Sequence, residues 1–412
     1  MKLNSPKCRH CDTELSQTLV DLGPQPLCNT LVKPEAQDDS EMFYPLHTRV
    51  CPNCFLVQVG DFVAPDEIFS EYSYFSSFSD SFVAHAKRFV DEAIPKHNLS
   101  TDSLVIEIAS NDGYLLQHFL PHNIPVLGVE PAANVGEAGT EKGVESLCLF
   151  LGSDTVDEIV AAKGKADLVV ANNVMAHTPF LNDFIKSMAA ILKNDGVISV
   201  EFPHVMKMLE ENLYDMIYHE HFSYFSLFTV ERIFRSLNLQ IFDAVEVETH
   251  GGSLRISACH MDYAREETDR LKAFRKLECD SKINEIETYQ EFAPLVAETK
   301  FALIEVLSDI KRQGKRIVGY GVPGKGNTLL NYCGIRTDFL DYMVDRNTYK
   351  QGNYTPGTRI PIFDVSKIDK DKPDYVLIMP WNLKNEILSQ LEHIKEWGGK
   401  FIIALPKVEV IS

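Results

Sequence analysis

The eight residues at positions 218–225 read YHEHFSYF and combine two histidines, one glutamate and four aromatic side chains. Such a segment could be a metal site, an acid/base centre or an aromatic part of the core. A metal site is disfavoured because His219 and His221 are two positions apart. That spacing points them to opposite faces of a strand, or about 200° apart on a helix, and neither a cysteine nor an HExxH sequence lies nearby.

The acid/base interpretation uses Tyr218 and His221, which are three positions apart and would be neighbours if the segment were helical. Imidazole titrates near neutral pH, so a histidine can accept a proton in catalysis. Aromatic packing with hydrogen-bonded histidines would explain the same residues. The segment by itself leaves both of these interpretations open.

Four cysteines form two CxxC pairs, CRHC at positions 8–11 and CPNC at positions 51–54. This spacing lets two thiolates bind one tetrahedral zinc ion while the backbone turns. A redox pair is the alternative, but the βαβ context expected for it is missing. Four protein ligands leave no open position on the metal, so the zinc should hold structure and do no chemistry. We therefore predict a structural zinc site with the ligands Cys8, Cys11, Cys51 and Cys54.

A polar turn follows the first strongly apolar strand in the central part of the chain. SLVIEI runs into ASNDGYLL, so that Glu107 lies in the strand and Ala109, Asn111 and Gly113 lie in the turn, after which we expect a helix. Such a turn at the carboxyl end of a strand lets a nucleotide-like ligand approach the backbone. Glu130 ends the next predicted strand, 23 residues after Glu107. Its carboxylate could accept hydrogen bonds from both hydroxyls of a ribose.

The composition of this turn favours S-adenosylmethionine over NAD as the cofactor. A pyrophosphate needs the close backbone approach that a GxGxxG loop allows, whereas S-adenosylmethionine has no phosphate and tolerates side chains there. Asn172 and Asn173 end the predicted strand ADLVV and supply polar groups at the same edge of the sheet. His177, four residues further on, could be a cap or a wall of the pocket.

Charge and composition restrict the partners of the chain. Its 412 residues carry a formal net charge of −19 at pH 7, which disfavours binding to phosphate backbones. No apolar run is long enough to span a bilayer, and the first residues, MKLNSPKCRHCD, lack the apolar region of a secretory signal. We therefore expect a cytoplasmic protein that binds a small molecule and neither nucleic acid nor membrane.

The distribution of apolar residues divides the chain into three parts. Residues 1–80 have too few apolar residues for a large core, so the predicted zinc site should staple them into a small module. Residues 81–248 alternate helices with buried parallel strands, which predicts a doubly wound α/β domain. Residues 249–412 contain long helices over 264–311 and then a second run of strands, which predicts a second α/β domain.

Several separated segments of the chain resemble the sugar C-methyltransferases of deoxysugar biosynthesis. They are CRHC with CPNC, YSYFSSFSDS at 72–81, IEIASNDGYLL, YHEHFSYFS, and HGGSLR at 250–255 with GYGVPGKGNTLLNYCGI at 319–335. The resemblance implies an N-terminal zinc-binding module, a central class I methyltransferase domain and a C-terminal Rossmann-like domain that binds the substrate. One departure is Ala109, where methyltransferases often carry glycine; its methyl group could tighten the cofactor pocket.

The resemblance also implies roles for individual side chains. His221 with Tyr218 would be the base that removes a proton from a substrate carbon, and Glu220 would help to place them or the sugar. A tyrosine from the link after the zinc module would reach over the substrate. We assign this role to Tyr74, although the sequence does not distinguish it from Tyr72.

A second glycine-rich sequence, GYGVPG at positions 319–324, fits GxGxxG, and Asp345 ends the next predicted strand. By itself this motif indicates a dehydrogenase that binds NAD, and its fit to GxxxxGK as far as Lys325 indicates a nucleotide hydrolase as the alternative. Pro323, however, removes a backbone donor from the supposed phosphate cradle, and no Ser or Thr follows Lys325 to bind magnesium. The resemblance implies that the loop faces a nucleotide-sugar, with Lys325 and Asn327 as substrate contacts. A turn for tight strand–helix packing is the structural alternative.

These observations lead to one leading hypothesis and three rivals. The leading hypothesis is S-adenosylmethionine-dependent methylation of a nucleotide-linked 4-keto-deoxysugar, expected to be a dTDP sugar, at the carbon beside the ketone, expected to be carbon 3. The rivals are methylation of another carbon or a hydroxyl, an NAD-dependent oxidoreductase of nucleotide sugars that uses residues 319–324, and a zinc-anchored sugar-nucleotide binding protein without catalysis. The resemblance is compatible with a monomer.

Overall fold

A computed structural model of the protein describes residues 6–64 and 75–412. The strands in these ranges form three sheets of four, seven and six strands. No helix in the described ranges is long and apolar enough to cross a membrane.

The first sheet combines three strands from the N-terminal region with one from much later in the chain. They are β1 Gln17–Gln25, β2 Tyr44–Val50, β3 Val57–Val59 and, out of chain order, β9 Ser223–Tyr224. The strand order is β1-β2-β3-β9, and all pairs are antiparallel. The CPNC turn connects β2 to β3, so this zinc-binding turn directly precedes the strand that pairs with β9.

The second sheet forms the centre of the molecule. Its strands are β4 Val105–Ile108, β5 Val126–Val129, β6 Ser146–Leu147, β7 Ala166–Asn172, β8 Leu192–Pro203, β10 Leu239–Val247 and β11 Ser253–His260. Their order is β10-β11-β8-β7-β4-β5-β6; β4 to β8 are parallel to one another, and β11 is antiparallel to both β8 and β10. The chain turns back between β4 and β7, and the carboxyl ends of these two strands therefore border the crevice where such sheets bind ligands.

Both faces of the central sheet are covered, which explains the nearly continuous apolar runs of its strands. Ile106 and Ile108 enter the apolar cluster on one face and Val105 enters the cluster on the other, as the alternation of a strand requires. The helices of this region are α1 Asp80–Lys96, α2 Ala133–Glu141, α3 Val156–Lys163, α4 Leu181–Ala190, α5 Val205–Glu210 and α6 Leu227–Ser236.

Two parts of this region differ from the sequence-based expectation. The helix expected after the polar turn is replaced by two short 3₁₀ helices, Leu116–His118 and Leu120–His122. Pro121 explains the break, because proline has no amide hydrogen for an α-helical bond and disfavours the helical conformation of the residue before it. The strand β11 lies beyond the predicted boundary at 248, yet it completes the central sheet between β8 and β10.

The C-terminal part contains the predicted helices and a second α/β sheet. Its helices are α7 Asp269–Asp280, α8 Ile286–Gln290, α9 Phe292–Arg312, α10 Gly324–Cys333, α11 Lys367–Asp371 and α12 Lys384–Gln390. Its strands are β12 Ile317–Tyr320, β13 Met343–Val344, β14 Ile362–Phe363, β15 Tyr375–Ile378, β16 Lys400–Ile403 and β17 Glu409–Ile411. The order is β14-β13-β12-β15-β16-β17, parallel except for β17.

The first and third sheets share one apolar core. Leu46 and Val57 of the first sheet belong to the same cluster of buried side chains as Leu303 of α9 and Ile317 of β12. Burial of this common core fixes the N-terminal module against the C-terminal domain. The segment 218–225 lies where these two parts meet the central sheet.

Candidate active site

The four cysteines of the CxxC pairs lie together. Their Sγ atoms are all within 4.8 Å of one another, and the Cys8–Cys54 and Cys11–Cys51 pairs are 3.5 and 3.6 Å apart. Four thiolates bound to one zinc at about 2.3 Å would be separated by about 3.8 Å in a tetrahedron. The cluster therefore fits the predicted zinc ion. In the described part of the chain no second group of histidine, cysteine or acidic side chains has metal-binding geometry.

Neighbouring donors support the cluster. Gln58 Nε2 donates to Cys8 Sγ over 3.4 Å, and the Cys54 amide donates to Cys51 Sγ over 3.5 Å. Such contacts orient thiolate ligands and offset part of their charge. Because Gln58 also belongs to β3, this residue links the cysteine cluster to the first sheet.

Backbone pairing attaches the YHEHFSYF segment to the zinc module. β9 pairs antiparallel with β3, and the Val59 amide donates to the Phe222 carbonyl over 3.0 Å. Arg9, which lies between two zinc ligands, places its guanidinium carbon 5.5 Å from the centre of the Phe222 ring. A strand of two residues has little stability of its own, so its position depends on the sheet that it joins.

Tyr218 and His221 form a close pair, but in a turn instead of a helix. The His221 amide donates to the Tyr218 carbonyl over 3.0 Å, which closes a β-turn. Tyr218 Oη lies 2.7 Å from His221 Nε2, and the ring centroids are 4.0 Å apart. The spacing of three residues therefore brings the side chains together, as the sequence predicts, through a different backbone conformation.

The contacts of His221 define its tautomer. His221 Nδ1 lies 3.2 Å from the Met216 carbonyl oxygen. A carbonyl can only accept a hydrogen bond, so Nδ1 carries the proton of the neutral imidazole and Nε2 presents its lone pair to the Tyr218 hydroxyl. The pair is therefore arranged to take up a proton at Nε2.

His219 has a different environment from His221. Its Nε2 lies 3.2 Å from the Tyr44 carbonyl, and its ring meets the Tyr44 ring edge-on at 5.9 Å. Burial lowers the pKa of His219, although its contacts with the Tyr44 and Pro45 backbone raise it. His219 thus fits the interpretation as aromatic packing with a hydrogen-bonded histidine. Its contacts with Tyr44 link the segment to β2.

Glu220 lies between Tyr218 and His221 in the sequence. Its side chain is buried and contacts the zinc module. Asn29 Nδ2 donates to its two carboxylate oxygens over 2.8 and 2.9 Å. Burial raises the pKa of Glu220 to about 7, and the hydrogen bonds from Asn29 and Cys28 lower it. Sequence reasoning missed Asn29, because a single asparagine in a loop far from Glu220 has no pattern that links the two.

The polar turn after β4 has the backbone conformation of a ligand-binding turn. Ala109, Asn111 and Gly113 have φ values of 55°, 49° and 71°. Glycine adopts this left-handed region freely and asparagine tolerates it, whereas alanine pays about 1 kcal/mol or more. Strained backbone of this kind concentrates at binding sites. The Ser76 amide donates to Asn111 Oδ1 over 2.8 Å, so the residues before α1 lie against the turn.

Two buried carboxylates flank this turn. Glu130 accepts the Asn111 and Ala132 amides, both over 2.9 Å, and burial raises its pKa. Each oxygen retains a second lone pair, so its contact with ribose hydroxyls stays a prediction. Burial raises the pKa of Glu107 well above its usual value, while a hydrogen bond with Tyr114 lowers it. Glu107 Oε2 has no hydrogen-bond partner among the described residues.

Asn172 and Asn173 leave polar atoms unsatisfied at the carboxyl end of β7. Within residues 6–64 and 75–412, Asn172 Oδ1 and both polar side-chain atoms of Asn173 are buried without a hydrogen-bond partner. Each such atom costs about 1–3 kcal/mol unless a ligand satisfies it. A polar cofactor at the edge shared by β4 and β7 would do so, and the residues therefore fit S-adenosylmethionine.

We call the carboxyl ends of β4, β5 and β7 the cofactor edge, and the loop that follows β7 contacts the Tyr218–His221 turn. The Phe222 amide donates to the Ala176 carbonyl over 2.8 Å. The His177 ring meets the His221 ring edge-on, with centroids 4.8 Å apart. This contact does not decide between a cap and a wall of the pocket, and both interpretations of His177 stay predictions.

The second glycine motif is packed against protein atoms. A Cβ atom at Gly321, whose φ is +82°, would come within 2.7 Å of Pro380, and one at Gly324 would come within 2.9 Å of Cys28 Sγ. These glycines therefore allow close packing of the loop, which agrees with the alternative of a turn for tight strand–helix packing. Their contacts give no support to a pyrophosphate site. The interpretation as an NAD site has no support from this geometry.

Lys325 and Asn327 differ in what they contact. Asn327 is buried, and its Nδ2 donates to the Cys28 carbonyl over 2.6 Å. Lys325 is half-buried, with Nζ 4.1 Å from the centre of the Trp381 ring and bonded to Asn382 Oδ1. Burial lowers the pKa of Lys325 to about 8. Contact of either residue with a substrate stays a prediction, as does the role of Tyr74 or Tyr72, which lie outside the described residues.

Comparison with known proteins assigns the chain to a family. Family models match residues 8–69 as a zinc binding domain, 81–244 as a methyltransferase domain and 248–406 as a C-methyltransferase C-terminal domain. The C-methyltransferase NovU of Streptomyces niveus is 32% identical over 406 residues, which cover 98% of this chain and 97% of NovU.

Solved structures show lower similarity. An S-adenosylmethionine-dependent methyltransferase of Clostridium acetobutylicum is 14% identical, with a TM-score of 0.34 over 42% of this chain and 90% of that one. Magnesium protoporphyrin IX methyltransferase of Synechocystis, with bound S-adenosylhomocysteine, is 13% identical, with a TM-score of 0.36 over 43% of this chain and 83% of that one.

The order of the central sheet, its polar edge and the matched domains define an S-adenosylmethionine-dependent methyltransferase with a structural zinc site. More narrowly, the chain belongs to the C-methyltransferase family in which a zinc-binding domain precedes the methyltransferase domain and the C-methyltransferase C-terminal domain follows it.

The zinc cluster should order residues 222–225 as well as its own module. Cys54→Ser, or removal of zinc by a chelator, should raise hydrogen exchange at residues 222–225 by about tenfold or more, because β9 loses the strand that holds it. Exchange in β4 and the affinity for S-adenosylmethionine should stay within about threefold of wild type. Cys148→Ser, which changes an exposed thiol, is the control. Unchanged exchange at 222–225 in a metal-free protein would contradict the prediction.

The strain at Ala109 also leads to a test. Ala109→Gly should leave thermal stability unchanged or raise it, because relief of the left-handed alanine offsets the greater freedom of glycine in the unfolded chain. Affinity for S-adenosylmethionine, measured by calorimetry, should be equal or higher. Ala171→Gly in the buried strand β7 is the matched control and should cost about 1 kcal/mol. A clear loss of stability in Ala109→Gly would show that the methyl group packs usefully.

Proposed function

We propose that this enzyme methylates a nucleotide-linked 4-keto-deoxysugar, with dTDP as the expected nucleotide, at the carbon beside the ketone, which is expected to be carbon 3. The observation that carries the proposal is the 2.7 Å contact between Tyr218 Oη and His221 Nε2. This pair lies next to His177, on the loop that follows the cofactor edge.

A carbon atom that still carries its proton is a poor nucleophile. Methyl transfer to it therefore requires that the proton be removed first. A carbon beside a ketone is acidic enough for enzymatic proton removal, because its carbanion delocalises into an enolate. One base and one hydrogen-bond donor near the enolate oxygen are then sufficient. A Tyr–His pair beside the cofactor edge supplies both kinds of group, whereas methylation of a hydroxyl would need only the base.

We assign proton removal to Tyr218 and His221 acting together. Tyr218 Oη takes the proton from the carbon while its own hydroxyl proton moves to His221 Nε2, and the electrons of the broken C–H bond enter the enolate. In the resulting imidazolium, the Nδ1–H group still donates its hydrogen bond to the Met216 carbonyl. Glu220, in the same turn, helps to hold the pair.

Bound S-adenosylmethionine supplies an electrophilic methyl group. The residues that would hold it share the carboxyl edge of β4, β5 and β7: Glu107, Ala109, Asn111, Gly113, Glu130, Asn172 and Asn173. Lys325 and Asn327 of the C-terminal domain and Tyr74 would face the nucleotide-sugar. A cytoplasmic location, a monomeric state and the lack of nucleic acid partners stay predictions.

The proposal is tested by incubating a dTDP-4-keto-6-deoxysugar, or its 2-deoxy analogue, with the enzyme in D₂O. We expect deuterium uptake beside the ketone without S-adenosylmethionine, and a gain of one methyl group at that carbon with it, both read by mass spectrometry and NMR. Methylation of a hydroxyl or of another carbon would favour the near alternative. Neither reaction across several 4-keto sugars, with cofactor binding intact, would refute the substrate assignment.

Variants of the Tyr–His pair test its role. His221→Asn should reduce both deuterium uptake and methyl transfer by about 10²–10⁴-fold, since the proton has no acceptor, and Tyr218→Phe should reduce both in the same direction. Affinity for S-adenosylmethionine should not change. His122→Asn, on the surface, is the control. Wild-type deuterium uptake in both variants would assign the base to another residue.

A further inference from the structure

We propose that Asn29 of the zinc-binding module is a positioning residue of the active site, which holds the Glu220 carboxylate and thereby the turn that pairs Tyr218 with His221. The inference rests on the function proposed above. It assigns a side chain of the N-terminal module to the catalytic machinery.

The contact between Asn29 and Glu220 has the geometry of a specific interaction. One amide nitrogen, Asn29 Nδ2, lies 2.8 Å from Oε1 and 2.9 Å from Oε2. Near-equal distances to both oxygens suit an ionised carboxylate, in which both oxygens accept. Glu220 is buried, with 3% of the residue exposed, whereas Asn29 is exposed, so the contact lies at the boundary between the buried carboxylate and the solvent.

Asn29 is itself held by the C-terminal domain. The carbonyl of the preceding residue, Cys28, accepts a hydrogen bond from Asn327 over 2.6 Å. Gly324, at the start of α10, lets the Asn29 side chain approach, since a Cβ atom there would lie 3.0 Å from Asn29 Oδ1. Thr328, one turn further along α10, bonds to the Ile217 carbonyl over 3.0 Å. The loop and the catalytic turn are therefore fastened to the same helix.

The position of Glu220 makes this contact relevant to catalysis. Glu220 lies inside the β-turn that the His221 amide and Tyr218 carbonyl close. Fixing its side chain restricts the turn, and the turn sets the distance between Tyr218 Oη and His221 Nε2. Besides Asn29, the Cys28 thiol lies 3.6 Å from Glu220 Oε1, and a thiol is a weak donor.

Loss of the amide donor should disfavour the ionised carboxylate. Asn29 lowers the pKa of Glu220 against the effect of burial. The ionised carboxylate is the form that Asn29 holds through both oxygens, so Asn29→Ala should move the acidic limb of the kcat profile to higher pH by about one unit. Asn29→Asp, which has the same shape but adds a second acid, should move it further. Thr30→Ala, a neighbouring exposed side chain, should leave the profile unchanged.

The split between kinetic constants adds a second readout. We expect kcat for methyl transfer, and the rate of deuterium uptake without cofactor, to fall by about tenfold in Asn29→Ala while KM for S-adenosylmethionine stays the same. Zinc content should equal that of wild type. If wild type is active and the pH profiles of Asn29→Ala and Asn29→Asp match that of Thr30→Ala, the inference is wrong.

A stability measurement tests the contact without any substrate. Because burial raises the pKa of Glu220 to about 7 in the folded state, stability from the protonated carboxyl is present at low pH and is lost as pH rises through that value. Asn29→Ala should be less stable than wild type at about pH 8 and nearly equal to it at about pH 5.5. In a Glu220→Gln background this pH-dependent difference should vanish.

The two measurements separate failure of the inference from failure of the proposed function. If wild type neither takes up deuterium nor transfers methyl, the substrate assignment fails, and the stability cycle still decides whether Asn29 holds Glu220. A difference between wild type and Asn29→Ala that is independent of pH, or that persists in the Glu220→Gln background, would overturn the inference.

Discussion

The pairing of β9 with β3 is the constraint on which the active site depends. Two residues of strand have too few hydrogen bonds to define a position by themselves, but β3 is buried and directly follows the CPNC turn of the zinc cluster. The metal therefore fixes β3, and β3 fixes the residues just after the Tyr218–His221 turn. A zinc ion without an open coordination position can still affect the Tyr218–His221 turn, because it supports the strand that the residues after the turn join.

Three parts of the chain meet at that turn, and each satisfies one of its backbone groups. The central domain accepts the Phe222 amide at Ala176, the zinc module donates to the Phe222 carbonyl, and α10 donates to the Ile217 carbonyl through Thr328. Buried backbone groups must be paired, so these three contacts leave the turn little freedom. The arrangement brings the cofactor edge and the Tyr–His pair within one loop of each other.

The two buried glutamates Glu201 and Glu220 show how neighbouring side chains change the pKa of a carboxyl group. Burial by itself would raise the pKa of Glu201, but His85 and Arg255 lower it to about 2. Arg255 belongs to the HGGSLR segment, and its ion pair ties β11 to β8. Glu220 has an amide and a thiol as its neighbours instead of cations, and its pKa is raised to about 7. The first carboxylate serves structure at any physiological pH, whereas the second is sensitive to small changes around it.

Local and periodic features could be predicted from the amino-acid sequence: the zinc ligands from CxxC spacing, the buried strands from apolar runs, and the polar turn at Ala109–Gly113 from its place after a strand. The sequence also placed Tyr218 near His221, since a spacing of three brings side chains together in a turn as in a helix. The pairing of β9 with the zinc module and the contact between Asn29 and Glu220 became visible in the folded structure. Contacts between residues so far apart in the chain leave no local pattern, because they arise from packing of separately formed elements.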